Sequence, residues 1–203
     1  MPTVQQLAQA IVAREGGWVH DPADPGGATN HGVTLATLRG LRLDLYGDGD
    51  VTEADLRRLS PAQAAQVFLD HYYRAPRIDE LPAVLQPSVF DMQVNAGSQA
   101  IRLLQKLLTE MGYPCVADGV LGPRTIAAAR AAAQAAPDHI ADAYGIARRN
   151  YYYALADARP ASRRFARTRS GGKGGWITRA EEFISPAYRL TDAQHRARTQ
   201  AWH

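Results

Sequence analysis

Residues 4–15 read VQQLAQAIVARE, and residues 16–34 read GGWVHDPADPGGATNHGVT. In the first stretch Val4, Leu7, Ile11 and Val12 fall on one face at helical spacing, which predicts an amphipathic helix. Gly16-Gly17 ends it. The second stretch holds five glycines and two prolines, and an irregular connection of that length in a compact domain is usually functional or disordered. Trp18, Val19 and Val33, interleaved through it, argue against disorder. The pair therefore reads as a short helix that ends on an acid, followed by a loop with a job.

Working outward, the same pattern of helix starts recurs. Thr34 opens a short helical stretch, and Thr52-Glu53-Ala54-Asp55 reads as a helix start with an acidic first turn. Ser60-Pro61 places a capping Ser before a first-turn Pro and predicts a helix over 61–74. Segments 81–96 and 98–111 are apolar at helical period, parted near Gly97. A turn at 118–123 leads into an Ala-rich helix from Thr125 to about residue 136, and a long helix is expected over 137–158, stopped by Arg159-Pro160. Beta-branched alternating runs are scarce, so the fold is predicted to be mainly α. Ser170–Gly175 reads as the most flexible stretch of the second half, and 191–203 as a polar, partly frayed tail.

The chain has 203 residues, 46% of them hydrophobic and 21% charged, enough for one large core or two small ones. A lone Cys115 excludes an internal disulfide framework and a Cys-based zinc site. No apolar run approaches the ~20 residues of a membrane span, and the start lacks the basic and apolar segments of a secretory signal. Synthesis in the cytoplasm is the expectation, with export needing another route. The net charge of +3 conceals a split: residues 1–95 carry 7 Arg against 12 acidic residues (−5), and 96–203 carry 16 basic against 8 acidic residues (+8). A basic half attracts polyanions such as wall polymers, nucleic acid or anionic lipid, without choosing among them.

Glu15 is the leading candidate for chemistry. It closes the first helix, where the negative end of the helix dipole disfavours a charged carboxylate. Cover from Trp18 or Val19 would push the same way, toward an acid able to protonate a leaving oxygen. The alternative is a solvated helix-end Glu or a partner for Arg14. Asp21 and Asp24 follow in the loop, and glycoside cleavage commonly uses two carboxylates; as residues before Pro, they also suit turns. Thr29 and Asn30 suit either holding a water or sugar hydroxyl or capping a turn. Tyr72-Tyr73 and Tyr151–Tyr153 suit sugar stacking or core packing. The six histidines lack metal-ligand spacing. Asp48-Gly49-Asp50 lacks the calcium-loop pattern and reads as a turn.

The run from Glu15-Gly16-Gly17-Trp18 through Asp24-Pro25-Gly26-Gly27-Ala28-Thr29-Asn30-His31-Gly32-Val33-Thr34 resembles the opening motif of glycoside hydrolase family 108, N-acetylmuramidases of the phage endolysin type. The likeness continues at Val51–Leu56, His71–Arg74 and Phe90–Gly97. It implies a lysozyme-like helical domain over 1–95, with Glu15 as catalytic acid and Asp24 and Thr29 handling the attacking water. Trp18, Asp21, Asn30, Tyr73 and Asn95 are implied at the glycan. The second half, 96–190, is similar to the peptidoglycan-binding domain that follows in such proteins, through Leu104-Gln105, Asp118-Gly119, Thr125 and Gly175-Trp176; Gln105, Asp118, Thr125 and Trp176 are then implied at peptidoglycan. Residues 191–203 remain as the tail. The resemblance implies cleavage of the β-1,4 bond between N-acetylmuramic acid and N-acetylglucosamine, degrading the bacterial wall. No metal or organic cofactor, no nucleic acid and a monomer are expected, with delivery by a separate membrane-pore protein. Lytic transglycosylation of the same bond and a non-catalytic wall-binding or secretion-assisting role are the alternatives.

Overall fold

A computed structural model describes residues 2–20 and 27–202. Among these, eleven α-helices and one two-stranded hairpin are formed, so the mainly α expectation holds. Asp21 and Asp24 lie outside the described residues. The chain forms two compact units, residues 2–75 and 76–203. No described helix is long and apolar enough to cross a membrane.

In the first unit α1 spans Val4–Glu15, as its periodicity predicts. Thr3 opens it with a capping box, Gln6 N donating to Thr3 Oγ1 and Thr3 N to Gln6 Oε1. Its apolar face, Leu7, Ala8, Ile11 and Val12, is buried. The predicted irregular loop contains a hairpin instead, β1 (Thr29–Asn30) paired with β2 (Val33–Thr34), extended by an isolated bridge from Val19 to Thr29. Two residues per strand are too few for a period-two signal, which is why sequence shows only a loop.

Thr34 then caps α2 (Leu35–Gly40), and Thr52 caps α3 (Glu53–Arg58). Ser60 caps α4 (Pro61–Leu69), which packs along α1. The helix predicted to reach residue 74 is α-helical only to Leu69. Asp70–Arg74 widen into a π turn, closed by Ala75 N donating to Asp70 O at 2.9 Å.

The second unit is built on α5 (Gln86–Ala96), α6 (Gln99–Glu110), α7 (Pro123–Ala135) and the long α8 (Ile140–Ala158). The short α9 (Arg163–Ala166), α10 (Gly175–Glu181) and α11 (Asp192–Thr199) complete it. The buried face of α8 presents Ile140, Tyr144, Arg148, Tyr152, Tyr153 and Ala156. Arg148 is fully buried and donates to Asp91 Oδ2 at 2.6 Å, while Arg179 Nε donates to the same carboxylate at 2.8 and 2.9 Å. Burial pushes the Asp91 pKa up, but the two guanidiniums outweigh it and leave it below the usual range. One carboxylate thus ties α5, α8 and α10 together.

Two expectations about the end of the chain need correction. The glycine-rich stretch is a fixed turn: Gly172 N donates to Thr168 Oγ1, Gly174 N to Ala166 O, and Arg167 pairs with Lys173. A Cβ on Gly174 would lie 2.5 Å from Phe165 O, so this glycine permits close backbone approach rather than looseness. The tail is docked as well. His195 and Thr199 of α11 are buried, and Trp202 joins a cluster with Tyr152, Tyr153, Ile177 and Ala180. Trp202 Nε1 donates to Asp157 at 2.7 Å, and Arg198 pairs with the same Asp157. Three buried side chains within a polar composition were enough to seat it.

Candidate active site

Glu15 is the last residue of α1, where Gly16 leaves the helix at φ +77°. The hairpin turn His31-Gly32 rises against this end. His31 Nδ1 lies 3.0 Å from Gly16 O, and both turn residues have positive φ, 52° and 78°. A Cβ on Gly32 would fall 2.7 Å from Glu15 Cγ and 3.2 Å from the Phe68 ring. The Glu15 stem therefore rests on the bare backbone of Gly32, with Phe68 of α4 behind. Phe68 is buried and stacks on Tyr72 at 5.5 Å. Two elements meet at the base of this carboxyl side chain, the helix end and the hairpin turn, with the Phe68 ring close to the same glycine.

Glu15 itself is exposed. The cover expected from Trp18 or Val19 is not provided: Val19 is 56% exposed, and Trp18 is engaged elsewhere. The Arg57 guanidinium sits 3.7 Å over the Trp18 ring, and His20 meets the ring edge-on at 6.2 Å. Thr29 is half-buried, its backbone exchanging hydrogen bonds with Val19 at 2.8 and 2.9 Å. Tyr73 is half-buried in the π turn.

Asn30 has a different job from the one its motif implies. It is buried, and its Nδ2 donates to Leu56 O at 2.8 Å and Leu59 O at 3.3 Å, capping the end of α3. Its amide donors thus anchor the hairpin to α3. Asn95 belongs to the second unit, where its Oδ1 accepts from Tyr152 OH at 2.7 Å. A groove of about 470 Å³ runs along α1 to its C-terminal end, lined by Gln9, Val12, Ala13, Gly16, His31 and Pro61. Sequence reasoning missed His31, Gly32 and Phe68 as the support of Glu15; the signal was a glycine two residues before the next helix cap.

In the second unit the predicted peptidoglycan-contacting residues divide. Gln105 is buried, and its amide is consumed: Nε2 donates to Asp118 Oδ1 (2.8 Å), Val120 O (3.0 Å) and Thr125 Oγ1 (3.3 Å), while Gly119 N donates to Oε1 (2.9 Å). Thr125 is buried beside it. Both hold the 115–122 loop through these bonds, and Thr125 also lines the depression beside that loop. Asp118 is exposed on that loop. Trp176 is half-buried and stacks on Tyr152 at 5.1 Å and Phe165 at 5.0 Å, within the core cluster of α8 and α10.

With this geometry in place, the comparisons with known proteins decide the family. The glycosyl hydrolase 108 model matches residues 8–97. The model of a predicted peptidoglycan domain matches residues 99–181. The solved structure of SagA from Brucella abortus is similar over 98% of this chain and 94% of that one, at 26% identity and a TM-score of 0.59. No curated protein matches. A family 108 glycosidase domain and a peptidoglycan domain in one chain make this a wall-directed glycoside hydrolase with peptidoglycan as substrate or partner. The family match ends at residue 97, beyond the junction of the compact units at 75/76, so α5 falls within the family 108 match by sequence and packs with the second unit.

Proposed function

We propose that the chain is an N-acetylmuramidase that hydrolyses the β-1,4 bond between N-acetylmuramic acid and N-acetylglucosamine. The observation that carries this reading is the seat of Glu15. Its stem lies against the bare backbone of Gly32, and the residue stays exposed and open to a ligand. A carboxyl group so placed protonates the glycosidic oxygen as the bond to the anomeric carbon breaks, and water adds to that carbon. A glycan seated over Glu15 displaces water from it and supplies the low-dielectric cover that the chain alone leaves off.

Asp24 or Asp21 acts as the second carboxylate, and Thr29, fixed by its pairing with Val19, orients the water. Trp18, steadied on one face by Arg57, and Tyr73 take the sugar rings. The basic second half draws the enzyme to anionic wall polymers, an attraction that falls as salt rises.

The test is digestion of purified sacculi by the wild-type and Glu15→Gln proteins, with products read by mass spectrometry. Soluble muropeptides ending in reducing muramic acid are expected from the wild type, and at least about 100-fold less from the variant, the scale of a lost general acid. Anhydro ends, lighter by one water, would make the enzyme a lytic transglycosylase. Undiminished release by Glu15→Gln would remove Glu15 from the chemistry.

A further inference from the structure

The 115–122 loop does more than close the turn before α7. With Gln105 holding it from below, the loop turns Val116 and Val120 outward, 72% and 63% exposed. Between them lies a depression of about 210 Å³, lined also by Cys115, Asp118, Pro123 and Arg124. That volume is below the roughly 300 Å³ at which pockets for drug-sized ligands begin, so it suits a group the size of one amino-acid end.

The charges in this pocket are paired by position but not by contact. Asp118 commits Oδ1 to Gln105 Nε2 (2.8 Å) and Val120 N (2.9 Å), which leaves Oδ2 for a ligand. The hydrogen bond from Gln105, then that from Val120, holds its carboxyl below the usual range, so it is charged wherever a wall enzyme works. Arg124, exposed in the first turn of α7, has no hydrogen-bond or ion-pair partner among the described residues. Burial raises the pKa of the Cys115 thiol, Arg124 lowers it and Asp118 raises it, so both charges act on one point of the pocket wall.

An anion and a cation flanking two exposed valines complement a carbon that carries both an ammonium and a carboxylate. A neutral sugar ring uses neither charge, and no aromatic ring lines the pocket to stack on it. A carboxylate alone meets Asp118, and an amine alone meets Arg124, each with one repulsive neighbour. Resting on the reading that this unit engages peptidoglycan, we propose that the pocket of Val116, Asp118, Val120 and Arg124 binds the free ammonium-and-carboxylate end of a diamino acid in the wall's peptide stems. The unit then distinguishes stems whose diamino acid keeps that amine from the acceptor stems of crosslinks, whose amine has become an amide.

The full-length Glu15→Gln protein, which leaves sacculi intact, is pelleted with diaminopimelate-type sacculi before and after acetylation of their free amines with acetic anhydride. Acetylation is expected to weaken binding about tenfold, the scale of one charge-assisted hydrogen bond. Asp118→Asn keeps the Oδ1 acceptor for Gln105 and Val120, and Arg124→Gln alters an exposed side chain outside the loop's own hydrogen bonds. Each, added to Glu15→Gln, is expected to lose a similar factor on native sacculi; Asp118→Asn, which removes the partner of the ammonium, is also expected to become insensitive to acetylation, whereas Arg124→Gln stays sensitive. Equal binding to native and acetylated sacculi, or parent affinity in both added variants, would overturn the proposal. Failure to pellet with native sacculi would overturn it together with the peptidoglycan reading. Amine-dependent pelleting by a Glu15→Gln protein that still releases muropeptides would uphold this pocket and remove only the role of Glu15.

Discussion

Glu15 owes its position to an atom that is missing. The hydrogen of Gly32 occupies the place where any other residue would drive a Cβ to within 2.7 Å of Glu15 Cγ. The same glycine sits at φ +78°, where an L side chain adds its own strain. Gly32→Ala therefore meets two penalties, together about 1–3 kcal/mol in the range of an overpacked contact. Because the atom that must yield is the stem of the acid, the loss is expected to be larger in activity than in folding. A displacement of about 1 Å at a reacting group costs on the order of 100-fold in rate. A thermal melt beside sacculus clearing checks this: clearing that falls only in proportion to the folded fraction would mean the turn supports the fold and not the acid. His31→Ala tests the other side of the seat. It removes the 3.0 Å contact to Gly16 O without adding volume, so a smaller loss of clearing is expected, with the melt within about 1 kcal/mol of wild type.

At the scale of the element, the loop between α2 and α3 is organised by a buried acid rather than by apolar packing. Asp55, in the first turn of α3, accepts from Thr52 N (2.9 Å), Leu45 N (2.7 Å) and Tyr46 N (3.0 Å). These bonds, led by that from Thr52, outweigh burial and lower its pKa to about 2. A group lowered on folding stabilises the fold fully above its unfolded pKa of roughly 4 and loses that contribution as pH falls toward 2. Melts of the wild type should drop across that window, and Asp55→Asn, which puts an amide donor against backbone donors, should start lower and drop less. A parallel pH profile in both proteins would show that Asp55 is not the titrating group. Sequence disclosed this much of the region: Thr52 and Ser60 as caps, and Asp48-Gly49-Asp50 as a turn, because capping and turn chemistry are local. It did not disclose that Asn30 reaches Leu56 O, nor that Gln105 and Thr125 face inward, because those bonds span 26 and 20 positions and leave no periodic trace. Glu15 was legible through its motif, whereas the hairpin turn supporting it was too short to show a pattern. The docked tail was hidden for a related reason: its buried residues, His195, Thr199 and Trp202, are polar or amphipathic types that composition places outside.

At the scale of the whole molecule, similarity and packing divide the chain at different points. The family match runs to residue 97, while the compact units meet at 75/76, and a sequence division at 95/96 likewise leaves α5 with the first half. Packing gives α5 to the second unit for a specific reason. Val89, Phe90 and Met92 are buried, Tyr144 OH meets Met92 Sδ at 3.3 Å, and Asp91 neutralises the fully buried Arg148. A buried guanidinium deprived of its carboxylate costs about 3–5 kcal/mol, comparable to much of the roughly 5–15 kcal/mol that holds a domain. Two fragments separate the boundaries. Residues 76–203 keep the Asp91, Arg148 and Arg179 network and are expected to melt in one cooperative transition. Residues 98–203 contain the peptidoglycan-domain match but strand Arg148, and are expected to show no sharp transition. Substituting Arg148→Met in fragment 76–203 removes the cation and strands Asp91 against Arg179 alone, so it should lower the melting temperature without abolishing cooperativity. If 98–203 melts as sharply and as high as 76–203, α5 is dispensable to the second unit, and the boundary marked by family similarity is also the physical one.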